Sequence, residues 1–262
     1  MKLSIRVADP AGNITIFVMS KVPSKQYAAI AAKLLSMEKF HAEQVAFQVS
    51  PRMGGQGRIQ MMGGEFCGNA TRSYGYLLSM LLPGNPETVT VEISGAQHPL
   101  TVQVDQEESR CETEMPLPVS ICSVSYLDQE YPVVCFDGIV HTIVPGEKKE
   151  EEFVRGLLKE VRAAADASAY GIMFLNGEKM VPVVYVCETD SLIWESSCGS
   201  GSMAVGVFLA LQMGEGTRRF TLQQPGGVIE ASATVSNGKV TACRMGGPVK
   251  FFDECVVELP DL

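Results

Sequence analysis

The chain has 262 residues, 46% of them hydrophobic and 19% charged, which suffices for the core of one large domain or two modest ones. A formal net charge of −9 and a pI near 4.9 argue against nucleic acid as a partner, because phosphate binding needs a basic patch. The sequence contains no recognisable export signal and no run of about 18 apolar residues, so we expect a cytoplasmic protein without membrane partners.

The first half of the sequence predicts strands and helices in alternation. Alternating apolar residues indicate strands near 3–7, 14–18, 44–49, 57–61, 89–93 and 100–104. One helix is expected to begin at Ser24, which can serve as its N-cap, and to end at about residue 38. A second starts just after Cys67 and stops at the Pro-Gly-Asn-Pro turn of residues 83–86.

The second half repeats this order. Strands are expected near 132–136, 139–144, 171–175 and 181–187 and again from residue 219, with a charged helix over about 147–165. Another helix runs from just after Cys198 to Gly214. We therefore predict two similar α+β lobes, residues 1–118 and 119–252, with a tail of about 253–262 that returns to the first lobe.

The two cysteine-headed segments share one pattern. Each begins Cys-Gly and carries a glycine eight residues after the cysteine, at Gly75 and Gly206. The cysteines lie 131 residues apart (198 − 67), half of the chain length, and the same offset aligns residues 90–96 with 221–227. Two matches at one offset indicate a duplicated half-chain unit.

Cysteine usage limits the chemistry. The eight cysteines are expected to be free thiols, since no export signal accompanies them. None forms a Cys-x-x-Cys pair and the chain has only three histidines, so no metal site is predicted. No pyridoxal-phosphate lysine motif, dinucleotide fingerprint or P-loop is recognisable, so no cofactor is predicted either.

Cys67 and Cys198 stand where a helix start would act on them. The first N–H groups of a helix have no partner within it and lie at the positive end of its dipole, so they bind carboxylates. The same field should lower a thiol pKa from about 8.5 toward neutrality. The residues placed to supply such donors to a substrate are Gly68, Asn69, Gly199 and Ser200.

Two thiols on opposite sides of one bound carboxylate would suit the inversion of an amino-acid Cα. A thiolate removes the Cα proton from one face and a thiol delivers a proton to the other. We therefore predict a racemase that uses Cys67 and Cys198 as its acid/base pair and takes an amino acid as its small-molecule substrate. Two alternatives stay open: a cysteine hydrolase or transferase, which needs only one cysteine and a histidine, and a protein that binds an amino acid without turnover.

Five segments carry a family resemblance. GGEFCGNATRSYGYLL at 63–78 and WESSCGSGSMAVGVFLA at 194–210 resemble the two signature segments of the diaminopimelate epimerase superfamily. DPAGNIT at 9–15, DGIVHTIV at 137–144 and QPGGVIE at 224–230 are similar to further segments of it. The likeness is strongest to the cofactor-independent histidine racemases of opine-metallophore biosynthesis. It implies two pseudo-symmetric lobes, each a curved mixed β-sheet around a central helix, and a thiol/thiolate pair; a homodimer is an option.

Departures from the superfamily concern the substrate. Diaminopimelate epimerases have an arginine after the glutamate that precedes the second cysteine, whereas Thr189 follows Glu188 here. Ile139 stands where they carry an asparagine that binds the distal end of the substrate. The resemblance therefore implies conversion of L-histidine to D-histidine, with diaminopimelate or another amino acid as the alternative substrate.

Further candidates for substrate contact are Asn13, Glu43, His141 and Glu188. Glu43 is placed to accept a hydrogen bond from an imidazole, and Glu188 to pair with the substrate ammonium. Two glutamates that flank the cysteines, Glu65 and Glu195, are candidates for tuning thiol protonation.

Two of these candidates have structural alternatives. Asn13 follows a turn and can serve simply as an Asx-turn residue. His141 lies on an apolar strand, so it is either a satisfied core histidine or a residue that contacts or supports the substrate site.

Overall fold

A computed structural model describes residues 1–260; residues 261 and 262, the end of the predicted tail, lie outside the described residues. The chain divides into two compact units. Unit 1 is Met1–Glu114 together with the segment from Gly246 onward, and unit 2 is Met115–Met245. No helix within residues 1–260 is both long enough and apolar enough to cross a membrane.

Residues 1–114 form seven strands and two α-helices. These are β1 (Lys2–Asp9), β2 (Thr15–Val18), α1 (Tyr27–Leu35), β3 (Gln44–Val49), β4 (Gly57–Met61), α2 (Gly68–Leu81), β5 (Thr88–Ile93), β6 (Leu100–Asp105) and β7 (Arg110–Glu114). Single turns of 3₁₀ helix at Ser24–Gln26 and Glu38–Phe40 flank α1.

The rest of the described chain forms eleven strands and two α-helices. These are β8 (Ser120–Tyr126), β9 (Gln129–Phe136), β10 (Ile139–Pro145), α3 (Glu151–Ala164), β11 (Ala169–Asn176), β12 (Lys179–Val186), β13 (Ser191–Trp194), α4 (Gly199–Met213), β14 (Gly216–Gln224), β15 (Gly227–Ser236), β16 (Lys239–Pro248), β17 (Lys250–Phe251) and β18 (Cys255–Glu258). The last two strands return to unit 1, where both pair antiparallel with β1.

The two units repeat one strand connectivity. In unit 1, β1/β2 is antiparallel, β2/β3 parallel, β3/β4 antiparallel, β4/β5 parallel and β5/β6 antiparallel. In unit 2, β9/β10, β10/β11, β11/β12, β12/β14 and β14/β15 follow the same alternation. The duplication inferred from two short sequence matches therefore extends to the pairing of six strands in each unit.

The cysteine-headed helices are core elements. In unit 1, α2 is buried along most of its length, and Tyr74, Leu77 and Leu78 pack with strand residues in one apolar cluster. Gly75 brings the helix against β6: a Cβ there would lie 2.6 Å from the side chain of Val102. In unit 2, α4 is apolar or small nearly all round, and Gly206 faces β15 in the same way, with a Cβ position 2.8 Å from that of Ala231.

Two details differ from expectation. Ser24 does not cap a helix: it lies in the 3₁₀ turn, and α1 begins at Tyr27 after Gln26, whose side chain makes no capping hydrogen bond. The strands β7, β8 and β13 were not predicted. In β8 only Val124 is buried, so its sequence lacks the apolar alternation that marks a strand.

Candidate active site

Cys67 is the N-cap residue of α2. Its backbone is extended (φ −137°, ψ 110°), and its Sγ accepts a hydrogen bond from the Ala70 N–H at 3.4 Å. Its carbonyl accepts from both the Thr71 N–H and the Thr71 hydroxyl, at 2.9 and 2.8 Å. The thiol thus does what a serine or aspartate does at a helix start, and helix geometry leaves the N–H groups of Gly68 and Asn69 without acceptors inside the helix.

Cys198 caps α4 in the same way. The backbone is again extended (φ −127°, ψ 112°), and Sγ accepts from the Gly201 N–H at 3.4 Å. Ser202 bonds to the Cys198 carbonyl as Thr71 does to that of Cys67. Gln224 of β14 adds a support that was not predicted, since its Oε1 accepts from the Cys198 N–H at 2.8 Å.

The electrostatics of Cys198 run against the sequence-based expectation. Burial and the carboxylate of Glu195 hold the pKa of the Cys198 thiol well above its ordinary value, and hydrogen bonds from Ser200 and the Gly201 N–H oppose them only in part. The lowered pKa predicted for this thiol is therefore wrong. The reason is that burial destabilises the thiolate more than the helix N-terminus stabilises it.

Asn13, Glu43 and Asn69 are brought together in unit 1 by a chain of hydrogen bonds. Asn13 Nδ2 donates to Glu43 Oε2 at 2.9 Å, and Asn69 Nδ2 donates to Asn13 Oδ1 at 3.4 Å. The chain ends at Arg72, whose Nε donates to Asn69 Oδ1 at 3.2 Å. A carboxylate at one end and a guanidinium at the other fix the orientation of both carboxamides.

Arg72 was not predicted as a site residue. Its side chain is fully buried, and Nη1 also donates to the carbonyls of Gly247 and Pro248 at 3.0 and 3.2 Å. The signal that could have found it is an arginine five residues after the cysteine in a helix that is otherwise uncharged.

The turn before Asn13 shows why its carboxamide is available. Asp9, and not Asn13, is the residue that closes the turn: its Oδ1 accepts from the Gly12 N–H at 2.6 Å. Ala11 and Gly12 both have positive φ, at 68° and 85°, which turns the chain sharply at this point. The Asn13 side chain is then directed to Glu43 and Asn69.

His141 lies fully buried on β10. Its Nε2 is 2.9 Å from Ser200 Oγ, and Ser200 Oγ is 3.6 Å from Cys198 Sγ. Burial lowers the pKa of His141 to about 3, so the imidazole is neutral at physiological pH. The histidine therefore joins the Cys198 site through Ser200.

Glu188 and Glu65 both lie at the protein surface. Glu188 is exposed in the turn between β12 and β13, and Glu65 is exposed ahead of α2. The same part of the chain contains no group of three or more histidine, cysteine, aspartate or glutamate residues placed to hold a metal ion.

Solved structures share this fold along almost the whole chain. A Bacillus anthracis phenazine biosynthesis protein of the PhzF family has a TM-score of 0.72 at 14% identity, covering 99% of this chain and 100% of that one. A hydroxyproline epimerase from Agrobacterium vitis has a TM-score of 0.64 at 11% identity, covering 99% and 93%. At such identities the likeness shows the fold alone, and it confirms the predicted α+β fold of the diaminopimelate epimerase type.

Comparison with proteins of known name assigns the chain to the class of amino-acid racemases. A Staphylococcus aureus protein named histidine racemase is 30% identical over 233 residues, 84% of this chain and 85% of that protein. A Fusobacterium nucleatum protein of the same name is 33% identical over 234 residues, 85% and 86% of the two chains. The chain belongs to the histidine racemase family, since the family model described as "Histidine racemase CntK N-terminal domain" matches residues 3–256. It is accordingly an isomerase.

Proposed function

We propose that this enzyme interconverts L- and D-histidine, with Cys67 and Cys198 as its two acid/base groups. The observation that carries the proposal is the matched environment of the two thiols: each accepts one amide hydrogen bond of 3.4 Å at the start of a buried helix. The histidine racemases from two bacteria, at 30% and 33% identity, support the substrate.

The proposed reaction needs both thiols on one substrate. One cysteine, as thiolate, takes the Cα proton; the other, as thiol, delivers its proton to the opposite face and becomes the thiolate. The products are the mirror-image amino acid and an enzyme with the two protonation states exchanged, so the roles alternate with the direction of turnover. The proposal requires the starts of α2 and α4 to reach opposite faces of the same Cα.

The substrate carboxylate is assigned to helix N–H groups. Negative charge grows on it as the Cα proton leaves, and fixed donors at that position stabilise the transition state. The donors we assign are the amides of Gly68, Asn69, Gly199 and Ser200. Because these groups belong to the backbone at two helix starts, no arginine is needed for this step.

The side-chain end of the substrate is assigned to Glu43. This residue is exposed, and only its Oε2 is used in the bond to Asn13, which supports a role for Oε1 as acceptor for an imidazole N–H. A direct Asn13 contact to substrate and pairing of Glu188 with the substrate ammonium stay predictions.

The wider predictions are part of the same proposal. We infer a cofactor-independent reaction, a cytoplasmic location and, as an option, a homodimer. All eight cysteines are free thiols, which is in keeping with a reducing compartment.

The test is to incubate the protein with each L-amino acid in D₂O and to measure deuterium at Cα, followed by kcat/KM for histidine and diaminopimelate on one preparation. We expect exchange and racemisation of histidine, with diaminopimelate at least about a hundredfold slower, because its second carboxylate and ammonium would lack partners at Ile139 and beside Glu188. Efficient epimerisation of diaminopimelate with inert histidine would overturn the substrate assignment. Binding of histidine without exchange would overturn the racemase.

A further inference from the structure

His141, Ser200 and Cys198 form a line of three side chains within unit 2. His141 projects from β10, and its Nε2 lies 2.9 Å from Ser200 Oγ in the first turn of α4. Ser200 Oγ lies 3.6 Å from the sulfur of Cys198, the N-cap of the same helix. The histidine is fully buried, and its one hydrogen bond among the described residues goes to Ser200, so its hydrogen-bonding link to Cys198 passes through the Ser200 hydroxyl.

The second imidazole nitrogen identifies the tautomer. His141 Nδ1 is buried and has no hydrogen-bond partner among the described residues. It faces the backbone of Gly171, its register partner on β11, so closely that a Cβ at Gly171 would lie 2.2 Å from it. A buried N–H without a partner is rarer in proteins than an under-used acceptor. The single proton of the neutral ring therefore belongs on Nε2, where it has an acceptor.

This tautomer determines where the serine proton goes. When Nε2–H donates to Ser200 Oγ, the hydroxyl proton cannot lie on that bond and turns toward another acceptor. The acceptor next in line is Cys198 Sγ. We propose that His141 is a positioning residue that holds the Ser200 hydroxyl as a hydrogen-bond donor to the Cys198 thiolate.

The donor matters because the other surroundings of Cys198 disfavour its thiolate. Burial and the Glu195 carboxylate both raise the thiol pKa, whereas the hydroxyl of Ser200 and the N–H of Gly201 lower it. Among the described residues, Glu195 is the charged group that shifts the pKa of Cys198, through its charge and a side-chain hydrogen bond. Because burial lowers the pKa of His141 to about 3, the imidazole stays neutral at physiological pH and the hydroxyl of Ser200 stays aligned.

The significance of the Ser200 hydroxyl as a donor rests on the proposed function, but the inference can be tested without measuring turnover. Iodoacetamide alkylation of Cys198 is followed against pH by mass spectrometry of the cysteine peptides, with Cys67 in the same digest as internal control. Ser200→Ala and His141→Leu should each raise the apparent pKa of Cys198 and slow its alkylation on the order of tenfold below that pKa, because a hydrogen bond to a charged group is lost. His141→Gln, which keeps an N–H near Nε2, should restore most of the rate.

A second measurement keeps the inference testable if His141→Leu does not fold. The chain has three histidines, so ¹⁵N spectra of imidazole-labelled wild-type protein can be assigned. We expect His141 to show a protonated Nε2 and a bare Nδ1. A proton on Nδ1, or an unchanged Cys198 pH profile in folded Ser200→Ala protein, would overturn the inference. Failure of histidine racemisation alone would count only against the proposed function.

Discussion

Cys67 and Cys198 have the same capping geometry: each thiol accepts a 3.4 Å hydrogen bond from the amide three residues later, and each cysteine carbonyl accepts a hydroxyl four residues later. The residue two positions after the cysteine differs: it is Asn69 in one copy and Ser200 in the other. The duplicated units have therefore kept the position of the sulfur while the neighbouring polar side chain, and the network behind it, has diverged.

Replacing either thiol by a hydroxyl should nearly abolish racemisation. A serine is too weakly acidic to take over proton transfer at Cα, and general acid–base groups contribute about 10²–10⁴-fold to rate. We expect Cys67→Ser and Cys198→Ser each to lower kcat for histidine by at least about a hundredfold, measured by circular dichroism of the amino acid or chiral chromatography.

The matched control is Cys122→Ser, because Cys122 is exposed on β8 and belongs to neither cap. It should keep wild-type turnover. Near-normal activity in either Cys67→Ser or Cys198→Ser would rule out the two-thiol mechanism.

Glu43→Gln should separate substrate recognition from folding. Glutamine can still accept from Asn13 through its carbonyl, so the hydrogen-bond chain to Asn69 persists. It replaces a charged acceptor for the imidazole by a neutral one, and we expect kcat/KM for histidine to fall about tenfold with an unchanged melting temperature. Glu38→Gln, also exposed, is the control; equal kinetics for both variants would remove Glu43 from the substrate site.

Glu92 should make the free energy of unfolding depend on pH in the acidic range. Burial alone would raise its pKa, but the amides of Arg52, Gly55 and Met53 and the charge of Arg58 lower it below the ordinary value of 4.5. A carboxylate whose pKa is lower in the folded state contributes stability above its unfolded pKa and loses that contribution as pH falls through the folded pKa. The contribution should therefore be full at pH 7, begin to fall as the pH drops below the ordinary value of 4.5, and be lost as the pH passes through the lower folded pKa.

The measurement is urea unfolding of wild type and Glu92→Gln at pH 7 and in steps down to pH 3. The variant should be less stable at pH 7, and the difference should shrink as the solution is acidified. Glu87→Gln, an exposed neighbour ahead of β5, should show neither effect. If the difference in stability between wild type and variant stays constant with pH, Glu92 holds the segment 52–55 by packing and not by charge.

Gly75→Ala should destabilise unit 1 although alanine is the better helix former. The new Cβ would lie 2.6 Å from Cβ and both Cγ atoms of Val102. Overpacking of this kind costs about 1–3 kcal/mol, which exceeds the propensity gain of about 1 kcal/mol. We expect a lower urea midpoint, and a smaller cost of Gly75→Ala in a Val102→Ala background. The same cost in both backgrounds would mean that the clash with Val102 is not its source.

The sequence predicted what depends on local pattern. Start and stop signals located both ends of α2 and α4 to within two residues, and the Cys-Gly repeat identified the thiols that lie at their N-caps. The fold class and the family followed from the same segments. What periodicity could not detect was β8, because an exposed strand shows no apolar alternation.

The environment of the site depends on contacts that join residues distant in the sequence. The raised pKa of Cys198 comes from burial and from Glu195, and burial is a property of the packed unit. The bond between His141 and Ser200 joins residues 59 apart, and that between Asn13 and Asn69 joins residues 56 apart. No local motif specifies such pairs, so the sequence could name the residues but not their partners.

The return of β17 and β18 to β1 has a consequence for biosynthesis. Residues 115–245, all of unit 2, leave the ribosome before the segment that pairs with β1 along this edge. The nascent chain thus displays an open strand edge, a known route to misassembly, until late in translation. The enzyme is expected to complete its middle half first and to depend most on chaperones during that interval.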